Sequence, residues 1–226
     1  MPEYSILDLK DLVKRVPVTR IEADTSRGYG ALEPDEIEAI HNRLLEIAEN
    51  EEIFSILWEN REAIYDAVRI LKGKYPGRRF RGAKARGEDL DLMIVMPSDI
   101  KRGGTPLGTF DTDVSTAGVA YYESDSGDGK LTLPSDEARV YCGWADPVDN
   151  PLASKVAIEL PDEIYVFRLP FEFKKDYPVV GHEPVKIKPE TQYRIRVYYS
   201  GTGTDALMPI AVRITTAVNL RSDLNL

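Results

Sequence analysis

Apolar residues recur at helical spacing through the first third of the chain and at every second position through most of the rest. In SILDLKDLVKRV (5–16), Ile6, Leu9, Leu12, Val13 and Val16 line one face, with Ser5 placed as an N-cap and Asp8 three residues on. Residues 17–33 hold Pro, Gly, Thr and Ser and read as a loop. A second helical region starts at EPDEIEAI, where Pro34 suits the first helical position and the acids of the first turn suit the helix dipole. Ile37, Ile40, Leu44 and Ile47 keep the 3.6 period. Beyond Asn50 a displaced set takes over, Ile53, Leu57, Ile64, Val68 and Leu71, which predicts a break near Asn50-Glu51.

Gly73, Pro76, Gly77, Gly82 and Gly87 make residues 73–88 a loop or arm. Short apolar runs bounded by turn residues follow: LDLMIVM, GVAYYE, KLTL, ARVYCGW, SKVAIEL, EIYVFRLPFEF, PVKIK, QYRIRVYY and IAVRITT. No helical pattern separates these runs, as a parallel sheet would require, so the expectation is an antiparallel sandwich. GVAYYE and KLTL flank SDSGDG like a hairpin. Tyr193, Ile195, Val197 and Tyr199 point one way and Arg194 and Arg196 the other, a half-buried strand; Ile210, Val212 and Ile214 alternate in the same manner with Ala211 and Arg213. In residues 163–173, Ile164 and Val166 occupy one face and Tyr165, Phe167 and Leu169 the other, so both faces want cover. The division that follows is an N-terminal helical region at 1–88 and a sandwich domain at 89–226.

Charge adds one feature that the pattern does not. Net charge is −9, which opposes general adhesion to polyanions. Yet KGKYPGRRFRGAKARG (72–87) carries Lys72, Lys74, Arg78, Arg79, Arg81, Lys84 and Arg86 without an acid, directly after a helical region, 35–66, that holds ten acids and two bases. As a phosphate-contacting arm this block would neutralise a nucleic-acid backbone, with Tyr75 and Phe80 stacking beside it. The alternative partners are the acidic helical region, in the same chain or a neighbour's, and an anionic membrane surface. These seven residues are the candidate polyanion or inter-subunit contact.

Catalytic residue types are scarce. Cys142 is the sole cysteine, so no intrachain disulfide and no cysteine-based metal cluster can form. His41 and His182 lack the spacing of a zinc-protease helix. Gly201-x-Gly203-x-x-Ala206 follows a strand as a dinucleotide loop does, but Met208-Pro209 and the alternation after it leave no helix for a pyrophosphate, so a turn is the stronger reading. Glu123, Asp125 and Asp128 could serve calcium, yet Ser124 and Ser126 fill the positions that a calcium loop gives to acids, and a polar turn is the stronger reading. No cofactor or metal is expected. The N-terminus has early acids and no sustained apolar stretch, which predicts a chain without a secretory signal, and no run approaches the roughly 20 apolar residues of a membrane span.

Residues 185–216 resemble the last three strands of fibronectin type III domains, with Ile187, Pro189, Thr191 and Tyr193 in the places of the tyrosine corner, and Trp144 with Pro147 resembling that family's buried-Trp strand. In size, strand number and basic N-terminal portion, carried by Lys72–Arg86, the chain resembles single jelly-roll viral capsid proteins in architecture. The fold class is therefore mainly β: an antiparallel sandwich, jelly-roll or fibronectin III-like, with N-terminal α-helices. The capsid resemblance implies a non-enzymatic, self-assembling structural protein of a virion in host cytoplasm, forming homo-oligomers or larger shells, with nucleic acid or an anionic membrane as candidate contacts of the arm. Two alternatives stand beside it. One is a sandwich module that binds protein or glycan, for which an exposed platform among Tyr121, Tyr122, Tyr198 and Tyr199 would favour glycan. The other is an acid-dependent hydrolase on a jelly roll.

Overall fold

The computed structural model describes residues 6–124, 129–148, 150–169 and 179–223. The fold is mainly β, with antiparallel sheets forming a sandwich and with helices concentrated near the N-terminus, as the sequence pattern predicts. Two compact units divide the chain: Met1–Ile94 with Asp136–Val140 and Val212–Leu226, and Val95–Ser135 with Tyr141–Ala211.

The helices are α1 (Ile6–Arg15), α2 (Pro34–Ile47), α3 (Glu51–Glu59), α4 (Arg61–Lys74) and α5 (Ala217–Asp223). The strands are β1 (Leu90–Ile94), β2 (Lys101–Arg102), β3 (Thr105–Pro106), β4 (Thr112–Val114), β5 (Gly118–Tyr122), β6 (Leu131–Thr132), β7 (Ala138–Ala145), β8 (Ala153–Glu159), β9 (Ile164–Arg168), β10 (Val179–Ile187), β11 (Gln192–Tyr199), β12 (Gly203–Asp205) and β13 (Met208–Thr216).

In the first unit, the break expected at Asn50 is an N-cap: its side chain accepts the Ile53 amide at 2.9 Å. A second break falls at Asn60, whose side-chain amide donates to the Ile56 carbonyl. The apolar stripes of α2, α3 and α4 are buried, with Ile40, Leu44, Leu57, Ile64, Val68 and Leu71 fully enclosed. The expected Ser5 cap lies outside the described residues. Loop 17–33 closes on itself through bridges at Ile21–Leu32 and Asp24–Tyr29, and the Gly30 amide donates to the Arg69 carbonyl of α4. This contact explains a glycine inside a helix. A Cβ on Gly73 would sit 1.8 Å from the Gly28 carbonyl oxygen, so a side chain there and the loop cannot share the space. Glu36 is 0% exposed and gathers three segments: Oε2 accepts the Glu33 amide and pairs with Lys72 of α4, and Oε1 accepts the Phe80 amide at 2.9 Å. At the C-terminal side, β1 pairs with β13 antiparallel from Leu90–Thr216 to Ile94–Val212.

In the second unit, β5, β11, β8 and β9 form a sheet in that order, with β6 also on β11. The expected β5–β6 hairpin is instead two strands set end to end along β11, because β5 pairs with Ile195–Tyr199 and β6 with Gln192–Tyr193; the bridge Ser124–Lys130 closes the connection, and residues 125–128 lie outside the described residues. Its inward residues Tyr122, Val156, Ile158, Tyr193, Ile195 and Val197 pack with Tyr141, Trp144, Val185, Ile187 and Ala211 into one core. Tyr193, in the tyrosine-corner place, is fully buried. Ala211 is buried on the side of β13 that alternation left to solvent, so that strand is covered on both faces there. Residues 170–173 of the expected two-faced strand lie outside the described residues; Leu169, just before them, is buried.

Replacing Gly73 by Ala is expected to lower stability by about 1–3 kcal/mol, the usual cost of forcing atoms into a filled site. Thermal or urea unfolding of Gly73→Ala against Gly77→Ala, where nothing lies within 4 Å, measures it.

Candidate functional site

Register places the outer face of the β5–β11–β8–β9 sheet in three rows. The first runs Val119, Tyr198, Lys155, Arg168; the second Tyr121, Arg196, Ala157, Val166; the third Arg194, Glu159, Ile164. Directly opposed residues of an antiparallel ladder share a face, so these side chains stand together on the side away from the core. Glu159 pairs with both Arg194 and Arg196, which settles the charge of the third row. The first row is different: Lys155 and Arg168 are direct partners of like charge. The Lys155 ammonium lies 3.7 Å from the centroid of the Tyr198 ring, and the Arg194 guanidinium 5.1 Å from that of Tyr121.

At the first-row end the face sinks into a depression of about 540 Å³ bordered by Ser154, Lys155, Arg168, Tyr198 and Ser200. That volume lies within the range of small-ligand sites. Tyr122 and Tyr199 turn into the core, their hydroxyls 2.8 Å apart, and border an apolar gap of only about 20 Å³ with Trp144 and Phe110. Of the four tyrosines named as a candidate platform, Tyr121 and Tyr198 are on the outer face and Tyr122 and Tyr199 are not. Lys155 and Arg168 escaped notice in the sequence, because each is one cation in an alternating strand and only the β8–β9 register brings them opposite.

The basic block is folded into its own unit. Lys72 and Lys74 complete the last turn of α4, and Lys72 pairs with buried Glu36. Arg79 and Arg81 both reach Asp35 at the start of α2, and Arg78 pairs with Glu88 while stacking 3.9 Å from the Tyr75 centroid. Phe80, expected to stack on a ligand, is buried, since Glu36 holds its amide. Lys84 and Arg86 are exposed, and Lys84 borders a depression of about 660 Å³ that also holds Asp35, Glu38 and Glu46.

A buried carboxylate pair lies in the sandwich unit. Asp146, after β7, is 1% exposed and Asp205, ending β12, is 0% exposed. Asp205 Oδ1 accepts the Leu152 amide at 2.9 Å, while among the described residues neither oxygen of Asp146 has a well-formed hydrogen bond. Burial, and then the Asp205 charge, push the Asp146 carboxyl up to about 7; burial also raises Asp205. Sealed this way, the pair presents no oxygen to a substrate.

His41 is buried against Tyr65 and Trp58, and burial drives its imidazole down to about 4. His182 stacks on Phe167 at 3.6 Å, and Cys142 is buried. Glu123 is buried, and Asp125 and Asp128 of the calcium-loop reading lie outside the described residues. Gly203–Asp205 form β12 against β4, with no helix to receive a dinucleotide phosphate. Among the described residues no group of three or more His, Cys, Asp or Glu is placed to hold a metal ion, and no helix is long and apolar enough to cross a membrane.

No protein-family model matches the chain, and no curated protein does. Among solved structures it is similar to the C-terminal family 6 carbohydrate-binding module of LamC, a marine laminarinase from Zobellia galactanivorans, at 14% identity and TM-score 0.28, over 55% of this chain and 99% of that one. It is also similar to a family 35 carbohydrate-binding module from Clostridium thermocellum, at 10% identity and TM-score 0.22, over 52% and 98%. A third is a β-(1,4)-mannanase of Podospora anserina that carries a family 35 module, at 12% identity and TM-score 0.24, over 55% and 27%. None of these three is a capsid protein.

The carboxylate pair generates a pH dependence. Native Asp146 keeps a proton up to about pH 7 that the unfolded chain releases near pH 3.8, so stability falls as pH rises through that window and levels off above it. Asp146→Asn should remove most of this slope and stabilise the chain at pH 8 by about 1–3 kcal/mol, after allowance for screening. Thermal melts from pH 4 to pH 8 measure it.

Proposed function

We propose that the chain is a non-catalytic β-sandwich module that binds a glycan on the outer face of the β5–β11–β8–β9 sheet. The observation that carries this reading is the depression beside Tyr198, with Tyr121 on the same face and the side chains of Lys155, Arg168, Ser154 and Ser200 around it. Sugars need this combination: aromatic rings that pack against C–H faces, and charged or hydroxyl groups that hydrogen-bond to the ring substituents. The face stands on a ladder whose other side is a packed core, so the groups are held in place before any ligand arrives.

A self-assembling structural protein is the second reading, favoured by one observation. Strand β9 exposes Ile164 at 59% and Val166 at 54%, an apolar pair on a strand that, among the described residues, ends its sheet. A second copy could cover it, as the two-faced apolar pattern of that segment anticipates.

Two measurements separate the readings. In the glycan reading, calorimetry against an oligosaccharide panel detects binding, and Tyr198→Ala weakens it about tenfold or more, as loss of one aromatic contact does. In the assembly reading, light scattering detects particles larger than one chain, and Val166→Lys returns them to monomers.

A further inference from the structure

We infer that the glycan is anionic, with a carboxylate or sulfate group seated between Lys155 and Arg168 beside Tyr198; this rests on the binding-module reading above. Like charges placed directly opposite on a ladder repel. Lys155 and Arg168 are such partners, and among the described residues neither has an ion pair. The same face shows how the chain treats cations that it needs only for structure: Arg194 and Arg196 converge on Glu159. Two rows from Glu159, no acid among the described residues pairs with Lys155 or Arg168. The repelling pair borders the depression, and the chain as a whole carries −9, so this local positive charge runs against the protein's overall field.

The two groups divide the work. Tyr198 lies beneath the Lys155 ammonium and restrains a side chain that would otherwise sample many rotamers. Arg168 is exposed and offers a planar fork that matches the two oxygens of a carboxylate or a sulfate ester. An anion between them removes the repulsion and gains hydrogen bonds to both. Ser154 and Ser200, at the border, are hydroxyls placed to face the neutral part of the same sugar, though each already donates inward, to the carbonyls of Tyr198 and Leu152. Their free lone pairs accept from sugar hydroxyls.

The test is calorimetry on the full chain with three probes of equal length: an oligogalacturonate, a heparin-derived oligosaccharide and a neutral cello-oligosaccharide, at low and high salt. The expected result is binding of an acidic probe about tenfold or more tighter than the neutral one, weakening as salt rises. Preference for oligogalacturonate identifies a carboxylate site and preference for the heparin fragment a sulfate site; both support the inference. Lys155→Met and Arg168→Met should each lose about tenfold or more of acidic binding. Lys155→Glu supplies a partner to Arg168, so it should keep or raise the melting temperature while abolishing acidic binding, which separates loss of the site from loss of the fold. Equal binding of the neutral probe, untouched by these substitutions, overturns the inference and leaves the module reading standing. Binding of duplex DNA as tight as that of the acidic oligosaccharides also overturns it, as charge attraction without sugar recognition. No binding to any oligosaccharide overturns both.

Discussion

Strand β11 has ladder partners along both edges, β8 on one and β5 with β6 on the other, so no residue in it can change face without moving a neighbour. Its period of two therefore governs the sandwich unit. Tyr193, Ile195, Val197 and Tyr199 enter the core, and Arg194, Arg196 and Tyr198 come out beside the partners that define the candidate site. Fold and site are two faces of one strand. A slip of a single residue would bury two guanidinium groups and expose four apolar side chains, a penalty larger than the whole stability of an ordinary domain.

In the helical unit a carboxylate has the corresponding role. Glu36 joins the start of α2, the last turn of α4 and the segment after it, and it does so at zero exposure with its oxygens engaged by two amides and an ammonium. A buried charge is tolerated when hydrogen bonds replace its water. The arrangement gives the basic stretch a structural task, since Lys72, Arg78, Arg79 and Arg81 are engaged by acids of the same unit. In that stretch Gly73 serves close approach, and Gly82 and Gly87 take the positive φ of turns.

What could be read in advance was local. Alternation in β11 and the helical stripes of α2–α4 appear directly in residue spacing, and the break at Asn50 appears as the displaced apolar set that begins at Ile53. The break at Asn60 was invisible because Leu57 and Ile64 are seven residues apart, two helical turns, so the apolar stripe runs through it undisturbed. Register between strands was invisible for another reason. Whether Lys155 meets Arg168 or Val166 depends on the turn at Leu160–Glu163, where the Leu160 amide donates to the Glu163 carbonyl at 2.9 Å. Asp146 and Asp205 meet only through tertiary folding, far apart along the chain, and two isolated aspartates carry no signal of a shared environment.

Cys142 has a consequence of its own. The thiolate is the form that reacts, and enclosure in β7 pushes this thiol up to about 12, so almost none of it is ionised at neutral pH. Alkylating reagents and mild oxidants therefore reach it only when β7 opens. The sole sulfhydryl of the chain is in effect a clock for that opening, whose labelling rate reads how often the middle of the sandwich comes apart.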